Sequence, residues 1–360
     1  MNPTLWVNLE AIRHNASTAL QVCQKRGISI DSVVKGVCAD LKVSEAILDG
    51  GIQSLMDSRL KNLQKLRAGS IDCRLGLLRI PMLSEIDELV ETADWCLVSM
   101  KEAVLELEKT CNDKKINFEV LLMIDLGDLR EGVWPDRVGE FIELFRSLKR
   151  VACIGVGTNL GCFGGVLPSA DNMDQLVKLG LQVKTELGAD RWLISPGGTR
   201  VFYEMLNSKE IPAEINHLRV GGGILRGMCG KENIPGFRQD TMRLDAELIE
   251  IYFKPTVPVG KIAQDAFGNT PHFEDRGIRR RGIVAIGRQD VTPFDLEPQE
   301  EGITILGASS DHLVLDIQNS RRSLRVGDTV SFSLSRYGAL LFAFNSDYVE
   351  KVVSRDFHVI

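Results

Sequence analysis

From residue 29 to about residue 230 the chain repeats one pattern. A short apolar run is followed by a polar or glycine break, then by a stretch whose apolar residues recur at three- and four-residue spacing. Short apolar runs bounded by turn signals read as buried strands, and the three–four spacing reads as one face of a helix. The strand candidates are ISIDSVVKG (the 29–37 region), IQSLMDSR (52–59), CRLGLLRI (73–80), DWCLVSM (94–100), FEVLLMID (118–125), VACIGVGTN (151–159), RWLISPGG (191–198) and HLRVGGG (217–223). Between them lie helical segments such as LSEIDELVETA, PDRVGEFIELFRSLKR and ADNMDQLVKLGLQVKTELG, with Pro135 and Asp136 as helix-start signals. Strict alternation of strand and helix means a parallel sheet covered by helices. Eight units, with no early strand–GxGxxG–helix signature, predict an α/β fold of the (β/α)8 TIM-barrel type over residues 11–232.

After residue 232 the helical spacing disappears. RLDAELIEIYF, IRRRGIVAIG, ITILGA, LVLDI, DTVSFSLS and ALLFAF read as strands separated by Gly, Asp and Pro turns, which predicts a C-terminal all-β domain over 233–360. The opening run TLWVNLEAI is also strand-like, and residues 1–10 are expected to join that domain. The basic run GIRRRG opens a strand and reads as a solvated face, with no nucleic-acid partner expected.

Composition narrows the class more than the fold. With 360 residues, 44% of them hydrophobic and 26% charged, the chain can bury a large core, and a net charge of −6 argues against an anionic polymer or membrane surface. Eight scattered cysteines contain no C-x-x-C pair, so reduced buried thiols are expected. His14, His217, His272, His312 and His358 show no ligand spacing, and no metal site is expected. The N-terminus lacks a basic region leading into an apolar one, and no run approaches the roughly 20 apolar residues of a membrane span. A cytoplasmic protein is the expectation.

A parallel barrel carries its chemistry at the carboxyl ends of its strands. There stand Lys35; Asp57 and Arg59; Arg79; Ser99; Asp125; Thr158 and Asn159; Ser195, Gly197, Gly198 and Thr199; and Arg219, Gly221, Gly222 and Gly223. Lys35 emerges from an apolar strand. Desolvated there it would have a lowered pKa suited to Schiff-base chemistry, while pairing with Asp57 or Asp125 would make it structural. SPGGT after the seventh strand and VGGG after the eighth occupy the loops where barrels most often hold phosphate. Phosphate beside a buried lysine suggests pyridoxal phosphate.

These residues carry a family resemblance. LWVNLEAIRHN, VVKGVCAD, MDSRLKNLQKL, LLRIPMLSEIDELV, LLMIDLGDLREGVWP, GVGTNLGCFGG, LRVGGGILRGM, GRQDV and LGASSDHLVLDI together resemble the fold-type-III pyridoxal-phosphate enzymes, most closely their alanine/ornithine racemase branch. The resemblance implies a barrel plus β-domain, a homodimer with shared active sites, and racemisation of an amino acid, ornithine or a similar basic one first. It places Lys35 at the Schiff-base lysine and Arg219 opposite the pyridine nitrogen. Ser195, Gly198, Thr199, Gly221 and Gly222 fall at the phosphate cradle and its surroundings, and Asn159 lines the cofactor. Arg130 and Tyr337 fall at substrate-binding positions. Asp311 becomes a catalytic residue entering the partner's site.

Two departures bear on mechanism. Ala39 and Phe267 stand where alanine racemases carry tyrosines, and a phenyl ring cannot exchange a proton. Racemisation needs a base on each face of a planar carbanion. Lys35 would serve one face, and Asp311, His312, Tyr337, Tyr348, Cys38 or an ordered water the other. VGGGI replaces a VGEAI-type segment, removing a glutamate where Gly222 stands, and SPGGTR replaces a serine/asparagine-rich loop. Other activities compatible with the resemblance are alanine, serine or lysine racemisation, decarboxylation or aldol cleavage on the same fold, and non-catalytic cofactor carriage.

Overall fold

The computed structural model describes residues 2–207 and 211–356; His358 lies outside them. The chain forms two units, one made of the residues up to Leu9 with those from Asp240 onward, the other of Glu10–Gln239.

In the second unit the eight strands are β2 (Ser29–Val33), β3 (Ser54–Asp57), β4 (Arg74–Leu77), β5 (Trp95–Val98), β6 (Phe118–Met123), β7 (Val151–Gly157), β8 (Leu193–Ser195) and β9 (His217–Val220). All pairings are parallel, in the order β8-β7-β6-β5-β4-β3-β2-β9. The ring closes between β8 and β9 through Arg219 N–H to Gly197 O (2.8 Å) and Ile194 N–H to the Asn216 side-chain oxygen (2.9 Å). The eight strand candidates are therefore the eight staves of a parallel barrel.

Its inside is filled by Val33, Met56, Trp95, Leu97, Leu121, Met123 and Leu193, drawn from strands all round the ring. Trp95 occupies the centre because Gly76 beside it has no side chain: a Cβ there would sit 2.7 Å from the indole. The helices lie outside and bury one stripe each. In α1 (Leu9–Gln24) the stripe is Ala11, Ile12, Ala16, Ala19 and Cys23, and in α6 (Val138–Arg146) it is Val138, Phe141, Ile142 and Phe145. Helix α7 (Ala170–Leu187) starts on a reciprocal cap, with Ser169 Oγ accepting from Asn172 N–H and Asn172 Oδ1 from Ser169 N–H. Residues 233–239 pack in this unit, with the Phe237 ring 5.7 Å from that of Phe202.

The first unit is an antiparallel sheet of β14 (Leu296–Pro298), β17 (Thr329–Leu334), β12 (Met242–Pro255), β13 (Ile278–Val284), β16 (Leu313–Asp316) and β15 (Thr304–Ala308), in that order. Strand β1 (Thr4–Asn8) pairs antiparallel with β12 and parallel with β18 (Glu350–Ser354). The strand-like reading of TLWVNLEAI is cut short: the strand ends at Asn8 and Leu9 opens α1, whose apolar residues follow helical spacing. ALLFAF is also corrected. It lies in a helix, α10 (Tyr337–Asn345), that buries Ala339, Leu340, Ala343 and Phe344 on one face, and its Ala and Leu residues are strong helix formers with no β-branched neighbour. The three arginines of GIRRRG are not a freely solvated face either. Arg279 pairs with buried Asp316, and Arg280 and Arg281 donate to the carbonyls of Leu324 and Thr256.

Candidate active site

The carboxyl ends of β2 and β3 place two charged groups at the barrel mouth. Lys35 follows β2 as the first residue of a short 3-10 turn, Lys35–Val37. After that turn Cys38 and Ala39 both take positive φ, 48° and 47°, in the left-handed region that side chains disfavour. Among the described residues the Lys35 amine makes no hydrogen bond or ion pair, and the pairing with Asp57 or Asp125 is absent. Burial, then the Arg130 charge, lower its amine below the usual lysine value, against weaker opposing pulls that include Asp57.

Asp57 ends β3, fully buried. One oxygen accepts from Arg59 N–H (2.8 Å) and Asn62 Nδ2 (3.0 Å), while the other has no partner among the described residues. Burial pushes its carboxyl up to about 6. A buried carboxylate oxygen without a donor is costly and marks a place where something outside the chain could be received.

Asp125 is structural: it accepts from Gly127 and Leu129 N–H and holds the loop after β6. Asp128, which the sequence pattern did not single out, does the same for the loop after β7, accepting from the backbone N–H groups of Cys162, Phe163 and Val166. Arg79 is taken by Glu85. Arg130 lies in the loop after β6, paired with Glu131 and with Nη1 2.8 Å from Cys162 Sγ.

The wall of the mouth on the other side of β2 from β3 comes from β9, which pairs directly with β2, and from β8 and β7 beyond it. Arg219 is buried, and its Nη1 donates to Ser195 O (3.1 Å) and Ser195 Oγ while Nη2 donates to Thr158 O (2.6 Å). Three of the five guanidinium donors are thereby used, leaving Nε–H and one Nη2–H. Burial pulls Arg219 down to about 10, still charged at neutral pH. Two glycines make room for it. A Cβ at Gly157 would lie 3.1 Å from Nη1, and one at Gly198 would lie 2.3 Å from the Arg219 carbonyl oxygen. Thr199 opens α8 (Thr199–Leu206), and its Oγ1 accepts from Gly223 N–H (2.9 Å), tying the two glycine loops together. Gly221 and Gly222 start the short helix after β9, and half-buried Asn159 follows β7.

Lys35, Asn159, Ser195, Gly198, Thr199, Arg219, Gly221 and Gly222 thus stand on the carboxyl ends of β2, β7, β8 and β9. Asp311 and Tyr337 belong to the other unit. There Asp311 is exposed and takes hydrogen bonds from Gln289 and Ser310, Tyr337 begins α10, and Phe267 lies under the Arg288 guanidinium, 4.6 Å from the ring centre.

The alanine racemase N-terminal domain family matches residues 7–227. The chain is 36% identical to an ornithine racemase of Acetoanaerobium sticklandii over 98% of its own length and 99% of that protein. The chain belongs to the alanine racemase family. A lysine racemase of Thermotoga maritima is 37% identical over 97% of this chain and 98% of the relative. Among solved structures, the alanine racemase of Streptomyces lavendulae superposes with a TM-score of 0.75 at 16% identity, covering 98% of this chain and 97% of that one. The alanine racemase of Bartonella henselae with covalently bound pyridoxal phosphate gives 0.73 at 14% identity, covering 98% and 100%. At such identities the likeness carries the fold: a barrel followed by a β-domain. Within this family member no helix of the described residues is long and apolar enough to cross a membrane. None of the eight cysteines is in a disulfide.

Proposed function

We propose that this family member is a pyridoxal-phosphate-dependent racemase of a basic amino acid, ornithine or lysine, working in the cytoplasm as a homodimer. The observation that carries the reading is the Lys35 amine, without a partner among the described residues and with a lowered pKa, at the end of the strand that pairs with the Arg219 strand, together with the two joined glycine loops. These residues fit the cofactor. Lys35 is a nucleophilic amine, Arg219 keeps two donors in hand, and the loops at Gly198–Thr199 and Gly221–Gly222 expose backbone to a phosphate. The basic substrate rests on the relatives, which are named ornithine and lysine racemases.

Bound pyridoxal phosphate supplies an electron-withdrawing ring that acidifies the Cα–H of an attached amino acid. The chain's own groups do the rest. Lys35, easily deprotonated, holds the cofactor at rest and then takes or returns a proton at its Nζ on one face of Cα. Arg219 would face the ring nitrogen of the cofactor, where its charge would disfavour protonation and so favour simple proton exchange. Arg130 and Tyr337 orient the substrate. Asp311, supplied by a second copy of the chain, is the base for the opposite face, the role that Phe267 cannot fill.

The test is Cα–deuterium exchange in heavy water with L-ornithine, L-lysine and L-alanine, followed by chiral separation. Exchange with mixing of enantiomers is expected, fastest for the basic pair. Lys35→Ala should abolish it together with the visible absorption of bound cofactor. A wild-type protein that acquires no such absorption after pyridoxal phosphate is added overturns the reading.

A further inference from the structure

Beneath Arg219 a chain of buried polar groups runs down the inside of the barrel. Ser195 Oγ, which accepts from Arg219 Nη1, lies 2.8 Å from His217 Nδ1. His217 Nε2 in turn lies 3.0 Å from Asp31 Oδ2. Asp31, Ser195, His217 and Arg219 are all buried, and the His217 ring meets the edge of Trp95 at 6.1 Å. No carboxylate touches Arg219 among the described residues.

The direction of these hydrogen bonds follows from donor counting. A guanidinium only donates, so Ser195 Oγ accepts from Arg219. The hydroxyl then has one proton to place, and its remaining partner is His217 Nδ1. An imidazolium would donate from Nδ1 as well. That would leave the buried serine hydrogen without an acceptor and put two cations on one oxygen. The ring must therefore accept at Nδ1 and carry its proton on Nε2, donated to the Asp31 carboxylate. Neutral histidine between a serine and an aspartate makes an unbroken series of donors, each polarising the next.

We infer that Arg219, Ser195, neutral His217 and Asp31 form a directed relay, in which Asp31 acts through His217 and Ser195 to orient the Arg219 guanidinium and balance its buried charge. His217, Ser195 and Asp31 are positioning residues. They fix which two Arg219 donors remain for a bound group and set the negative charge that this group feels through the barrel floor. The relay deepens the proposed function in one respect: that bound group is the pyridine ring of the cofactor.

The test begins with nitrogen NMR of the histidine-labelled holoenzyme at neutral pH. A neutral His217 with its proton on Nε2 is expected; an imidazolium, or a proton on Nδ1, overturns the relay. The second measurement is the pH profile of the bound cofactor's visible absorption in Asp31→Asn. Removing a negative charge disfavours nearby cations, so the midpoint should fall by roughly half a pH unit. A merely structural Asp31 would lower thermal stability and leave the midpoint in place, which also overturns the relay. Should Asp31→Asn fail to fold, Ser195→Ala, which removes only a hydroxyl, must alter the His217 Nδ1 signal, and an unaltered signal counts against the relay. A protein without cofactor absorption would sink the proposed function, whereas an imidazolium His217 in a pigmented enzyme would sink the relay alone.

Discussion

The two ends of the barrel treat charge in opposite ways. Toward the amino ends of the strands, charged groups have partners within the chain: the Asp31 carboxylate accepts from the His217 ring, and Arg74 pairs with Glu119, with the Arg74 guanidinium 5.5 Å from the Trp95 ring centre. Toward the carboxyl ends Arg79 and Arg130 are also paired, but among the described residues the Lys35 amine has no partner and one Asp57 oxygen has no donor. The same strands supply both ends, so the difference lies in the side chains rather than the backbone scaffold. Matched charges stabilise and orient, while unmatched ones cost stability and leave chemistry open to a ligand. In a parallel barrel the open end is the one where loops can form a pocket.

The largest effect is expected where the two ends meet. Trp95→Ala empties the centre of the barrel, beneath the mouth and beside His217, and should cost about 3–5 kcal/mol. Denaturant unfolding followed by barrel-unit fluorescence measures it. If the ends are distinct, a folded remnant of this variant at low temperature should lose the His217 signal before it loses cofactor binding. Simultaneous loss would mean that one layer serves both.

Asp57→Asn sharpens the comparison in the opposite sense, by raising stability. The carboxyl titrates at 3.8 when unfolded and about 6 when folded, so the unfolded state ionises more readily. A raised folded pKa in an acid therefore destabilises as pH climbs from about 4 through 6, and the penalty is complete above that. Asparagine keeps an oxygen for Arg59 N–H and Asn62 without the charge. At pH 7 to 8 the cofactor-free variant should be more stable than wild type, by about 3 kcal/mol at most, with the gain vanishing below about pH 4. A gain that persisted in acid would mean that Asp57 is not the source. The same substitution should raise KM or lower kcat, since the Asp57 charge acts on Lys35.

The strand pattern was legible because each stave is a compact apolar run closed by glycine or polar residues, and that placed the mouth residues on their strands. The relay was not. Asp31, Ser195 and His217 are distant in sequence and meet only because β8 and β9 close the ring against β2. A signal was present: Asp31 and His217 are ionisable residues within parallel strands, where both faces are buried. His217 shows no metal-ligand spacing, a criterion blind to a serine–aspartate bridge. The sequence marks Asp57 only as a mouth residue and a neighbour for Lys35, because no sequence pattern reveals that one carboxylate oxygen lacks a donor. ALLFAF misled because a short apolar run has no period long enough to separate helix from strand.

The smallest effect should come from a site belonging to neither end. Ser169 caps α7 on the outside of the barrel, with its hydroxyl 3.3 Å from Asn172 N–H. Ser169→Ala leaves the first-turn N–H without that acceptor and should cost about 1 kcal/mol, a fall of roughly 2–4 °C in Tm. It touches none of the groups that differ between the two ends. The His217 tautomer, the cofactor absorption midpoint and kcat/KM should therefore match wild type at a temperature where both proteins are folded. If this mild loss of stability moved any of the three, shifts seen in Asp31→Asn or Asp57→Asn could no longer be assigned to charge, and the contrast between the ends would reduce to a difference in rigidity.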